Sequence, residues 1–237
     1  MSILPIDTGR YGTKEMLEIF REQKKIDYQL EIEAAAVLSQ NEIGLIPASV
    51  ARDIARAAKS GRITAKRIKQ LEAKSDHDTA ALVEALAEKC QKASRPWIHY
   101  GLTSNDLVDT SNSMQMRDAI KIIQPKVSKL SLLLSKNAVK YKNVPAVGRT
   151  HGQHASIISF GLKFANWAAE MSTHLERLDE IKKRVLICKT MGVVGTGSLM
   201  GKNAIRVQDR VAKKLGLYPA RVTTQIIPRE RYAEYIF

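Results

Sequence analysis

Two histidines three positions apart, His151 and His154 of GRTHGQHA (148–155), stand in a stretch that carries no acidic residue. Metal ligation, general acid chemistry and core packing all use this residue type. A three-residue offset would place both rings on one face of a helix, but neither an HExxH pattern nor a converging carboxylate accompanies them, so no metal ligand is assigned. Imidazole titrates near neutral pH, which suits His151 to proton transfer. Other short polar stretches lie in apolar surroundings: GRY (9–11), SDHD (75–78), HYGLTSND (99–106) and TTQIIPRER (223–231). Arg10, Arg149, Arg229 and Arg231 suit carboxylate or phosphate. Thr103 and Ser104, with Asn105 and Asp106 behind them, read as a helix N-terminus whose hydroxyls and free amides can hold a carboxylate, or as a cap alone. Together these groups describe a polyanion site equipped with a proton donor.

The stretch GVVGTGSLMGK (192–202) is not a phosphate loop. Asn203 follows Gly201-Lys202, and Thr196 stands where the first glycine of that motif belongs. It reads as a loop whose glycines let the backbone pass closely over a ligand or another helix.

The elements that must position these groups are helical. Apolar residues at Met116, Ile120, Ile123, Val127, Leu130 and Leu134 step by four and three, the seam of a long helix in which Pro125 predicts a kink or local break. A second seam runs through Phe164, Trp167, Met171, His174, Leu178, Ile181, Val185 and Cys188, with His174 read as a core or interface histidine. Two apolar seams of this length predict a bundle completed by helices of other subunits. Before them, shorter amphipathic segments are expected at about 14–41, 48–60, 64–73 and 78–93, separated by GLIPAS, SGRIT and SDHD. Strand alternation is almost absent. The fold class is therefore all-α, with a smaller N-terminal domain over 1–108 and a long-helix domain over 109–237.

Composition bounds the function. The 237 residues carry a net charge of +14, from 38 Lys and Arg against 24 Asp and Glu. Residues 119–169 contain no acid, yet hold Lys121, Lys126, Lys129, Lys136, Lys140, Lys142, Arg149 and Lys163. Such a field draws a nucleic acid or steers a small polyanion, unless it is only a solvated basic face. Cys90 and Cys188 form no CxxC pair and read as core residues of a reduced protein. No basic-then-apolar leader and no run of about 18 apolar residues is present, so neither secretion nor a membrane partner is expected.

Taken in order and spacing, the polar stretches resemble the adenylosuccinate lyase family of the fumarase/aspartase superfamily. WIHYGLTSNDLVDT (97–110) is similar to the first shared region of that superfamily and GRTHGQHA to the second, while SDHD, GRY, GVVGT and TTQIIPRER extend the resemblance over essentially the whole chain. The resemblance implies cleavage of a C–N bond by β-elimination: adenylosuccinate to AMP and fumarate, and the succinylated aminoimidazole carboxamide ribotide to the carboxamide ribotide and fumarate. It implies His151 as general acid, with His77 assisting or binding phosphate. Arg10 and Tyr11 would hold the nucleotide, Thr103 and Ser104 a succinyl carboxylate, and Gln225 the substrate. Asp76, Asp78 and Thr150 complete the substrate-binding set, although Asp76 stands where relatives often carry Arg or Asn. His154 would support the loop. No metal, organic cofactor or nucleic acid is implied; the partners are a nucleotide substrate and, in a cytoplasmic homotetramer, other copies of the chain that share each active site.

One part of that chemistry is not among the 237 residues. The family's base is a serine in a loop of the form GSSAMPxKxNP, and this sequence does not contain it. The resemblance therefore leads to the expectation of an N-terminal portion of a longer lyase, its bundle domain incomplete at the C-terminus and the chain inactive alone. A non-catalytic relative and a basic helical nucleic-acid-binding protein are the alternatives, the latter offering few stacking platforms with only 5% aromatic residues.

Overall fold

The computed structural model describes residues 9–236. Among them run nine α-helices: α1 (Lys14–Phe20), α2 (Glu22–Glu42), α3 (Ala48–Ala58), α4 (Ala65–Ser75), α5 (Asp78–Ala87), α6 (Ser104–Lys140), α7 (Phe160–Val185), α8 (Ala204–Leu215) and α9 (Glu230–Ile236). The all-α class expected from the apolar periodicity is observed, interrupted by one hairpin, β1 (Pro145–Thr150) with β2 (Gln153–Ser159), and by a two-residue parallel pair, β3 (Ile187–Cys188) with β4 (Tyr218–Pro219).

Several local expectations need correction. The segment expected as one helix over 14–41 is broken at Arg21, which takes an extended conformation (ψ 145°) and caps both α1 and α2. The break falls where the Ile19 carbonyl accepts from the Gln115 side-chain amide at 3.0 Å, and so is withdrawn from the helical ladder. At Pro125, where a kink or local break with the helix continuing afterwards is expected, α6 runs through the proline and is 37 residues long in all. The segment expected to reach residue 93 ends at Ala87, and the second seam stops at Val185, with Cys188 in β3.

The chain forms two compact units. One takes the described residues up to Asp118 together with those from Lys183 onward; the other is Ala119–Lys182. In the first, α2 and α8 pack together through complementary stripes. Ala204, Val207, Val211, Ala212 and Leu215 recur at helical spacing and are all buried, as are Ile32, Ala36 and Val37 of α2. Burying a side chain the size of valine or leucine stabilises by about 1.5–3 kcal/mol, so this stripe fixes α8 firmly on its partner. Leu107 and Met114 of α6 and both cysteines are likewise inside.

The second unit comprises the later part of α6, the hairpin and most of α7. Tyr141, Phe160, Phe164 and Trp167 form a chain of rings with centroids 5.4–5.7 Å apart. Yet much apolar surface stays outside: Leu132 (56% exposed), Leu133 (55%), Leu162 (54%), Trp167 (47%) and Ile157 (79%). His174, on the seam, is half-exposed between Arg177 (3.2 Å) and Glu170 (3.9 Å).

Candidate functional site

In the first unit, α4 ends and α5 begins within the SDHD stretch. Asp76 closes α4 in the left-handed region (φ 51°), its N–H donating to the Glu72 carbonyl at 2.8 Å. His77 then caps α5: its Nδ1 accepts from the Ala80 N–H at 3.2 Å. Accepting there requires a bare lone pair on Nδ1, so the neutral ring carries its proton on Nε2. That Nε2 approaches the Ser104 hydroxyl at 3.5 Å. Asp78 is turned to its own helix start, where one oxygen accepts from the Thr79 N–H at 2.6 Å. SDHD is thereby joined to the TSND stretch through one histidine and one serine, two residues singled out independently in the sequence.

The helix start expected at Thr103–Ser104 is present, with Ser104 the first residue of α6. Thr103 is buried, and its N–H donates to Asp106 at 2.9 Å, the carboxylate reaching back over the first turn as in a capping box. Asp106 also accepts from the Gly192 N–H at 3.0 Å and pairs with the Lys189 ammonium, both side chains being wholly buried. Burial pushes this carboxyl above the usual carboxylate range, against the pull of Lys189 and the two amides. One carboxylate thus ties the TSND turn to the GVVGTG loop.

A second buried carboxylate does the same for TTQIIPRER. Asp109, one turn further along α6, accepts from the Ile227 N–H at 2.8 Å and from Arg229 at 2.6 Å, with the Tyr232 hydroxyl at 3.3 Å. Arg229, about half exposed, is thereby paired with a buried carboxylate, and Arg231 donates to the Arg184 carbonyl at 2.7 Å. The preceding Gln225 remains exposed. The segment lies against the GVVGTG loop at Gly195, where a Cβ would stand 2.2 Å from the Thr223 carbonyl oxygen and 2.7 Å from that of Thr224. Only glycine allows that approach, and its φ of 78° also favours glycine. In the N-terminal stretch, the Arg10 guanidinium stacks over the Tyr11 ring at 5.4 Å.

In the second unit GRTHGQHA is a hairpin, not a helix, so His151 and His154 do not share a helical face. His151 (φ 51°) and Gly152 (φ 73°) form its two-residue turn, flanked by the pairs Thr150↔Gln153 and Arg149↔His154. Two consecutive left-handed residues match the twist of a tight hairpin. Histidine before glycine supplies them at a cost of about 1 kcal/mol in the non-glycine residue. Thr150 and His151 are exposed at the tip, and Arg149 meets the His154 Nε2 at 3.1 Å. An open cavity of about 550 Å³ beside the strands is lined by Arg149, Thr150, Ser156 and Lys163, a cationic setting without a carboxylate.

Sequence reasoning missed His99, Glu33, Lys189 and Asp109 as organisers of the site. The signal for His99 was at hand, inside HYGLTSND. The other three act on partners 66 to 120 positions away, which no local pattern reports. Asp76, His99 and His151 are the non-glycine residues with positive φ among those described, and each belongs to a polar stretch picked out above. Strain of this kind gathers where the surroundings over-determine a conformation, commonly at functional sites.

Residues 9–237 match the family model described as lyase. The chain belongs to this lyase family, within the fumarase/aspartase superfamily. It is 43% identical over its whole length to adenylosuccinate lyase of Methanocaldococcus jannaschii, covering 51% of that protein, and 36% identical to adenylosuccinate lyase of Thermotoga maritima over 96% of the chain and 51% of the relative. The chain thus spans about half the length of the curated relatives it matches. Among solved structures, a fumarate lyase from Mesorhizobium sp. BNC1 superposes with a TM-score of 0.88 at 30% identity, covering 95% of this chain and 54% of that one. The 3-carboxy-cis,cis-muconate lactonizing enzyme from Pseudomonas putida does so with 0.87 at 29%, covering 96% and 52%.

Proposed function

We propose that this chain is part of an adenylosuccinate lyase, cleaving adenylosuccinate to AMP and fumarate and the succinylated aminoimidazole carboxamide ribotide to its carboxamide and fumarate. The observation that carries the reading is identity of 36–43% to adenylosuccinate lyases along the chain. The structure supports it by joining His77 to Ser104 at the start of α6 and by setting His151 at an exposed, cationic hairpin tip.

In this mechanism a base takes the proton from the carbon next to a succinyl carboxylate. The electron pair left there forms the fumarate double bond as the C–N bond breaks, and His151 protonates the departing nitrogen. Thr103 and Ser104 hold a carboxylate at the α6 N-terminus, where partial positive charge and unbonded amides favour an anion. His77, its Nε2–H beside Ser104, assists there or binds phosphate. Arg10 and Tyr11 hold the nucleotide, Gln225 contacts the substrate, and Asp76, Asp78 and Thr150 line the site. The enzyme is a cytoplasmic homotetramer whose copies cover the exposed seams of α6 and α7 and share active sites. The domain boundary near residue 108 divides its N-terminal helical domain from the bundle.

The test is fumarate release from adenylosuccinate by an enzyme of the relatives' full length that contains this chain. There His151→Ala is expected to leave KM largely intact and lower kcat by about 10²- to 10⁴-fold, the usual cost of a lost general acid. An unchanged kcat would remove His151 from the mechanism.

A further inference from the structure

Glu33 sits in the middle of α2 among Ile32, Ala34, Ala35 and Ala36, its side chain 2% exposed. A carboxylate is costly in such surroundings unless it is fully engaged, and an apolar residue of similar size would pack there without that cost. Both oxygens are used on a single residue. Oε2 accepts from the His99 backbone N–H at 3.1 Å, and Oε1 lies 2.6 Å from the His99 Nδ1.

His99 needs such a hold. Its φ of 62° is unfavourable for a side chain with a Cβ, and it opens the turn that leads into α6. The His99 carbonyl accepts from the Leu102 N–H at 3.1 Å, Gly101 follows the bend at φ 76°, and Thr103 is then fastened to Asp106. Hydrogen bonds to a charged group are stronger than those between neutral groups, and two of them offset the strain of one left-handed residue. A second clamp comes from the same helix: the Gln40 amide donates to the Tyr100 carbonyl at 2.7 Å.

We propose that Glu33 is a positioning residue of the candidate site, fixing through His99 both the geometry of the Thr103–Ser104 helix start and the charge of the imidazole beside it. The inference rests on the lyase reading for its functional half and on the structure alone for its geometric half. With Nδ1 bonded to a carboxylate, that nitrogen carries the proton in the neutral ring, which is the opposite tautomer to His77. The charged groups facing His99 are Glu33 from α2 and Asp106 from α6, the latter paired with Lys189. Burial lowers the His99 pKa, but the hydrogen bond and charge of Glu33, with Asp106 behind, outweigh it and hold the ring above its ordinary value.

The experiment is NMR titration of the chain with isotope-labelled histidine, as wild type, Glu33→Gln and Gln40→Leu. Wild-type His99 is expected to keep its proton on Nδ1 when neutral; an Nε2–H tautomer in the wild type overturns the proposal without need of any variant. Glu33→Gln is expected to shift the His99 midpoint downward, while Gln40→Leu, which loosens the same turn without touching the charge, leaves it in place. An unshifted midpoint in Glu33→Gln, or an equal shift in Gln40→Leu, overturns the assignment. In an enzyme of the relatives' full length, Glu33→Gln is expected to move the pH profile of kcat/KM for adenylosuccinate to lower pH. An unaltered profile overturns the positioning role. Absence of fumarate release from the unsubstituted enzyme would instead count against the lyase reading, and the titration result would stand apart from it.

Discussion

The TSND turn and the GRTHGQHA hairpin are the two most informative stretches of the sequence, and they are supported in opposite ways. The turn is held from within its own unit: Asp106 collects Lys189 and two backbone amides, and His99 is fastened to Glu33. Among the described residues no third strand joins the hairpin, and Val147 and Ile157 face each other across it with both side chains exposed. A two-stranded ribbon is marginal by itself, so its order depends on what covers it. The difference teaches that the geometry of the proposed anion site is set locally in the first unit, whereas the proposed proton donor sits on an element that the chain leaves half-supported.

Three variants can break or sharpen that contrast. The largest effect is expected for Asp106→Ala, which leaves Lys189 buried and unpaired; breaking a pair of this kind costs about 3–5 kcal/mol, read as a lower urea midpoint. A loss below about 1 kcal/mol would show that the turn does not depend on the pair. Gly195→Ala comes next. Its methyl must displace the Thr223 and Thr224 carbonyls at an unfavourable φ, for an expected cost of about 1–3 kcal/mol and a shifted Gln225 amide resonance. Unchanged stability would mean that the two loops yield easily. Smallest is Leu132→Gln with Leu133→Gln, expected to alter the stability of the separate chain by about 0.5 kcal/mol or less, since both side chains already face outward. A cost of about 2 kcal/mol would show that the chain itself covers these two side chains.

Much of the fold was legible because its helices announce themselves. The start of α6 follows from the Thr-Ser-Asn-Asp order, and the later seams from apolar spacing. The hairpin was hidden because its turn is His-Gly and not one of the strong asparagine or aspartate pairs, and because exposure on both faces of β2 erases the alternation that marks a half-buried strand. Arg21 breaks a helix on account of Gln115, which arrives from the middle of α6. Within the site, the polar stretches were visible as chemistry, but their anchors were not. Glu33 reads as an ordinary helix-surface acid until His99 is brought to it, and Arg229 reads as an anion receptor until Asp109 occupies it.

The two exposed left-handed residues Asp76 and His151 carry a practical consequence for anyone seeking a sturdier version of this chain. A screen for thermal tolerance would favour glycine at each, since glycine adopts the same backbone without strain. Every such gain would delete an ionisable side chain from one of the polar stretches. Durability and chemistry are therefore set against each other at these two positions, and a hardened variant that has lost its reactivity would have been selected at the backbone, not at the substrate.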